Sequence, residues 1–77
     1  MESITESELI QKDGFRPYSI SVNSTGNKIT PFSTHIKVYK DDSHFYESGE
    51  YCYNLTDAMT SFKRRCENAD TVEKGDF

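Results

Sequence analysis

Apolar residues recur at steps of three and four between residues 55 and 66, which is the spacing of one stripe on an α-helix. Asn54 stands immediately before this stretch as a favourable N-cap, and Asp57 adds negative charge to the first turn, where the helix dipole favours it. The pattern therefore predicts an amphipathic C-terminal helix. Its core-facing stripe is predicted to consist of Leu55, Ala58, Met59, Phe62 and Cys66.

Three other stretches have the character of half-buried strands. Residues 18–23 and 34–40 alternate between apolar and polar positions, which is the period of a strand with one buried face. Residues 44–53 continue the pattern but are interrupted at Ser48-Gly49-Glu50, where the glycine predicts a bulge. The turn residues Asp41-Asp42-Ser43 separate the last two strands.

Two segments have a less regular pattern. Residues 24–33 predict a long loop, in which Lys28-Ile29-Thr30 forms a short additional strand if it finds a partner before Pro31. Residues 1–14 predict a short helix, because Thr5 and Glu8 have the spacing of a capping box.

These elements predict an α+β fold, a three-stranded or four-stranded antiparallel meander with the C-terminal helix packed on one face and a short N-terminal helix (α–β–β–β–α). The expected division is a helix or arm over residues 1–14, one α+β domain over 15–68 and a disordered acidic tail over 69–77. The helix stripe is expected to meet Tyr18, Ile20, Val22, Ile36 and Val38.

This order of elements is similar to that of double-stranded RNA-binding domains, in topology alone. Those domains carry a basic motif at the start of the last helix, where this chain has Asn54-Leu55-Thr56-Asp57, which is neutral to acidic. The basic run Lys63-Arg64-Arg65 lies at the other end of the helix, where it complements the helix dipole. The resemblance implies an RNA-binding function. The absence of the basic motif at the start of the helix puts that function in doubt.

Charge and composition narrow the classes of function. The chain has 77 residues and a formal net charge of −4. The acidity belongs to the two ends, because residues 17–67 contain six acidic and six basic side chains. A neutral folded part lacks the basic footprint of nonspecific nucleic-acid binding. Without a signal-peptide pattern or a long apolar run, we expect a cytoplasmic protein that does not enter membranes and keeps its two cysteines reduced.

No group of residues in the sequence has the pattern of a metal site, a phosphate-binding loop or a catalytic site. Cys52, Cys66, His35 and His44 lack the close pairs of ligands that zinc sites use, so no metal is expected. The glycines are isolated, so no phosphate-binding loop is expected either. A small domain with a slight core rarely forms a concave catalytic site. We therefore expect no enzymatic activity and no cofactor.

Protein binding is the remaining class, and exposed tyrosines are typical interface anchors. The predicted contact residues are His35, Lys37, Tyr39 and Tyr46, with Lys63, Arg64 and Arg65 as a secondary patch. In size and charge alone, the chain is similar to small inhibitors encoded by phages and mobile elements. Three alternatives stay open: a nucleic-acid-binding module that uses the same face, a homodimer formed through an edge strand, and tyrosines that only cover a thin core.

Overall fold

Four antiparallel strands and one helix form the protein, in the chain order β–β–β–β–α. The computed structural model describes residues 1–69. Each strand pairs with the next along the chain, which confirms the antiparallel meander and the α+β class. Most of the predicted tail, residues 70–77, lies outside the described residues. The elements are β1 (Glu2–Glu6), β2 (Tyr18–Ser24), β3 (Phe32–Lys40), β4 (Ser43–Cys52) and α1 (Leu55–Asn68).

The prediction of an N-terminal helix is wrong, because this segment forms β1 and pairs with β2. A helix of two turns is too short to persist by itself, whereas the edge of β2 offers backbone partners along the whole segment. The pairing continues beyond β1: the Ile10 N–H donates to the Tyr18 carbonyl at 2.7 Å, and Ile10 is buried. The fourth strand is therefore β1 and not Lys28-Ile29-Thr30, which lies in the loop between β2 and β3. With a strand first, the topological similarity to double-stranded RNA-binding domains is lost.

Helix α1 begins as predicted. The Asn54 side chain accepts a hydrogen bond from the Asp57 backbone N–H at 2.8 Å. The buried stripe differs in part from the prediction, because Leu55 is 43% exposed and Met59 is half-buried. Ser61 is buried in their place, where its hydroxyl lies 2.8 Å from the Thr34 hydroxyl. A hydrogen bond to the sheet thus turns one polar position of the helix inward.

The core lies between α1 and the sheet. Phe62 is its largest fully buried side chain. Tyr18 and Ile36 pack at the border of the core as predicted, whereas Val38 is buried outside this cluster. The buried core residues are Ile10, Ile20, Val22, Cys52, Ala58, Phe62 and Cys66.

Both cysteines belong to this core and are free thiols. Burial, followed by the nearby carboxylates of Asp57 and Glu50, raises the pKa of the Cys52 thiol. The thiol is therefore a weaker nucleophile at neutral pH than an exposed cysteine.

The predicted bulge in β4 is confirmed. The register shifts between Thr34 and Ile36, so that Ser48 and Gly49 together oppose His35. Ser48 has a left-handed backbone (φ 54°). The extra residue reverses the alternation of side chains along the rest of the strand.

Helix α1 is fastened to this bulge by a polar cluster, which we call the helix–bulge clamp: Ser48, Glu50, Ser61, Arg64 and Arg65. Glu50 accepts hydrogen bonds from the Ser61 hydroxyl (2.7 Å) and from the Arg64 guanidinium. Arg65 donates to the Ser48 carbonyl. The Ser61 hydrogen bond, opposed by burial and reinforced by Arg64 and Arg65, lowers the pKa of Glu50.

None of the helices in residues 1–69 is long and apolar enough to span a membrane.

Candidate functional site

The sheet surface opposite α1 carries a row of aromatic side chains, and within residues 1–69 no helix or strand packs on it. Alternation along β3 and β4 places Lys37, Tyr39, His44 and Tyr46 on this surface. Tyr51 joins them because the bulge inserts one residue between it and Tyr46. We call these five residues the tyrosine face.

Beneath the tyrosine face lies a floor of small polar side chains from β2 and β3. Serine and asparagine side chains are too short to reach past the larger residues around them, so they are buried although no element covers them. The floor consists of Ser19, Ser21, Asn23, Ser33 and His35.

His35 stands at the centre of this arrangement and is only 5% exposed. The rings of Tyr46 and Tyr51 meet its imidazole edge-on, each with a centroid distance of 5.6 Å. Gly49 makes room for the ring, since a Cβ at that position would lie 2.5 Å from Nε2. His35 therefore supports the tyrosines from below.

The hydrogen bonds of His35 define its protonation state. The Asn23 amide Nδ2 lies 3.4 Å from the imidazole Nδ1 and can only donate, so Nδ1 accepts. The Ser33 hydroxyl lies 3.0 Å from the same nitrogen. Burial first, and then the positive charge of Arg65, lowers the pKa of His35. The imidazole is thus neutral at physiological pH, with its proton on Nε2.

The pair Ser33–His35 has the spacing of a serine nucleophile and its base. Its surroundings do not suit catalysis, because the Ser33 hydroxyl is fully buried between strands and has no access to a substrate. The neighbouring Asn23 Oδ1 is also buried, and it has no hydrogen-bond partner among residues 1–69. Such an unpaired acceptor costs about 1–3 kcal/mol of stability.

Glu6 on β1 fixes the other end of the tyrosine face. Its Oε2 accepts hydrogen bonds from the Tyr39 hydroxyl and the Ser19 hydroxyl, both at 2.7 Å. The Lys37 ammonium lies 3.9 Å from the same oxygen and 5.3 Å from the centroid of the Tyr39 ring. The carboxylate therefore neutralises Lys37, and the tyrosine face carries no net positive charge.

The structure brings four predicted contact residues together on one surface: His35, Lys37, Tyr39 and Tyr46. It places the other three, Lys63, Arg64 and Arg65, on α1 behind the sheet. Arg64 and Arg65 belong to the helix–bulge clamp, whereas Lys63 is exposed.

Three residues of this surface escaped the sequence analysis: Glu6, His44 and Tyr51. His44 shares the period-two alternation of Tyr46, so that signal was present in the sequence. Tyr51 follows only if the bulge is counted as one inserted residue, and Glu6 was hidden by the expectation of a helix.

Within the described part of the chain, no group of three or more His, Cys, Asp or Glu side chains is placed to hold a metal ion. Comparisons with protein families, with curated protein sequences and with solved structures found no match to this chain.

Proposed function

We propose that this chain is a small non-enzymatic protein-binding module that modulates or inhibits a partner protein through its tyrosine face. The observation that carries the proposal is the fixed aromatic row on a sheet surface that no other described element covers. Tyrosines held in one conformation lose little side-chain entropy on binding, which is why they are frequent interface anchors.

The exposure of the aromatic side chains favours binding of a partner over a purely structural role. Tyr51 remains 60% exposed although it packs against His35, so its ring offers surface to a partner. His44 is exposed at the end of the row, with its ring 5.3 Å from that of Tyr46. Side chains needed only to cover a core would be expected to bury more of their rings.

A nucleic-acid-binding module is the second candidate, because bases stack on exposed aromatic rings. The charge of the face favours a protein instead. Lys37 is its one lysine or arginine, and Glu6 neutralises it. Phosphate backbones require uncompensated Lys or Arg side chains.

The test is affinity capture from a lysate of cells that express the protein, read by mass spectrometry. Tyr46→Ala and Tyr51→Ala should each lose a partner that the wild-type chain retains at stoichiometric amounts. Tyr53→Ala is the matched control, because Tyr53 is 71% exposed but lies beyond the end of β4. Equal capture by all three variants would refute the tyrosine face as the contact surface.

Titration with single-stranded and double-stranded oligonucleotides separates the second candidate. Affinity that falls steeply with salt would favour nucleic acid. The proposal expects no binding even at low salt.

A further inference from the structure

Strand β4 is an edge of the sheet, and within residues 1–69 no strand pairs with its outer side. In its second half, Arg65 of the helix–bulge clamp already occupies the Ser48 carbonyl, which is therefore not free for an added strand. The first half, Ser43–Glu47, is exposed apart from half-buried Tyr46. These five residues form a short open edge to which another strand can be added.

The side chains of this open edge are complementary to those of a second copy of the same strand that runs antiparallel to it. In an antiparallel pair centred on Phe45, that residue opposes its twin, and His44 opposes Tyr46 of the other copy. Within one chain, His44 and Tyr46 already meet edge-on with their centroids 5.3 Å apart, so the cross-strand pair repeats a contact that the protein uses. Phe45 is 43% exposed and lines a groove that also contains Ile36, Val38, Lys12 and Arg16. Its twin would lie beside that groove.

The charges along the edge match in the same register. Glu47 would oppose Ser43 of the other copy, whose neighbour on β3 is Lys40. Serine is short, so the lysine can reach the glutamate across two strand spacings of about 4.8 Å each.

Beyond the paired residues, the acidic turn Asp41-Asp42 of each copy would approach Ser48 of the other copy. At Ser48 lies the helix–bulge clamp, in which Arg64 and Arg65 against Glu50 leave one net positive charge. Acidic and basic groups therefore meet at both ends of the interface.

The opposite edge of the sheet offers no such match. Strand β1 is shorter, contains a bulge between Ser3 and Thr5, and carries Glu2 and Glu6. Pairing β1 of one copy with β4 of the next is heterologous and would build open chains of molecules. Pairing of β4 with itself, in contrast, is isologous and closes after two copies.

We propose that two copies of this chain associate through the open edge Ser43–Glu47, antiparallel and centred on Phe45, to form one continuous eight-stranded sheet. The two tyrosine faces then lie on the same side of that sheet and join through His44 and Tyr46. This inference goes beyond the proposed function, because self-association needs no other partner and is measured without one.

Light scattering on the full chain tests the proposal by mass. We expect twice the 8.9 kDa of one chain. Glu47→Lys and Lys40→Glu should each raise the dissociation constant about tenfold or more, because each sets like charges face to face. The double variant Lys40→Glu/Glu47→Lys restores opposite charges and should restore the dimer. Glu2→Lys makes the same change of charge on the β1 edge and should leave the mass unchanged.

Cysteine cross-linking tests the register. Phe45→Cys should form a covalent dimer under mild oxidation, because residue 45 faces its twin at a distance a disulfide spans. Glu47→Cys should not, because its twin lies four residues further along the partner strand, about 14 Å away. Three results would overturn the proposal. They are a monomeric mass at high concentration, a dissociation constant that neither charge reversal changes, and assemblies larger than a dimer.

Discussion

His35 is the residue on which the tyrosine face depends. A protonated imidazole would carry a hydrogen on Nδ1, which would point at the amide donor of Asn23. The structure therefore favours the neutral form through geometry as well as through burial and the charge of Arg65.

Stability should consequently fall as the pH drops below about 6.5, the ordinary pKa of histidine. The folded protein has the lower His35 pKa, so the unfolded chain binds more protons between the two pKa values and is stabilised relative to the folded protein as the pH falls. The full contribution is present above about 6.5, and the loss ends once the pH is below the folded pKa. Urea unfolding measured from pH 8 to pH 5 checks this expectation.

His44→Gln is the control for this experiment, because His44 is exposed on the same face. It should keep the pH dependence of the wild type, whereas His35→Gln should flatten the slope near pH 6. Glu50 acts at lower pH: its folded pKa is depressed, so its contribution is lost only as the pH falls through the range of carboxylates. A slope unchanged in His35→Gln would contradict the assignment.

Among the elements, β4 does most to organise the molecule, because its bulge makes room for His35, brings Tyr51 onto the tyrosine face and receives the helix–bulge clamp. Glu50→Ala removes the acceptor of Ser61 and leaves two arginines without their carboxylate. We expect a loss of about 1–2 kcal/mol in the free energy of unfolding, since the cluster is partly exposed.

Glu47→Ala is the matched variant for that measurement. It removes the same side chain from the exposed part of the same strand and should change the free energy of unfolding by about 0.5 kcal/mol or less. Urea denaturation of both variants at a protein concentration where the chain is monomeric compares them directly. Equal losses would show that the clamp contributes nothing beyond its exposed carboxylate.

The elements also show how far sequence patterns predict this fold. Helix α1 and strands β2 to β4 were predictable, because each has a local period of apolar and polar residues that identifies its type. Strand β1 was not predictable from its own sequence. The five residues around Ile4 are compatible both with the start of a helix and with a strand, and the pairing with β2 decides between the two structures. The same limit applied to the candidate site. Alternation placed Lys37, Tyr39 and Tyr46 together, but the support that Glu6 gives from β1 depends on pairing between strands.

At the scale of the whole molecule, one thin core holds the helix to the sheet. Phe62 is its largest buried side chain and is 0% exposed. Phe62→Ala should lower the free energy of unfolding by about 3–5 kcal/mol. Small domains have only about 5–15 kcal/mol in total, so this variant should be close to unfolded at room temperature.

Leu55→Ala is the control for the core, because Leu55 lies on the same helix but remains 43% exposed. Its thermal midpoint should stay within a few degrees of the wild type, since a loss of about 0.5 kcal/mol or less is expected for an exposed site. A thermal midpoint in Phe62→Ala as high as that of Leu55→Ala would refute the core assignment.

The contact between Gly49 and His35 has a consequence for evolution. Gly49 is not among the residues with positive φ, so no left-handed backbone requires a glycine there, whereas the imidazole of His35 leaves no room for a side chain. The two positions should therefore covary: descendants that keep a histidine at position 35 should keep a glycine at position 49. Those that replace the histidine with a small residue should be free to place a larger one opposite it.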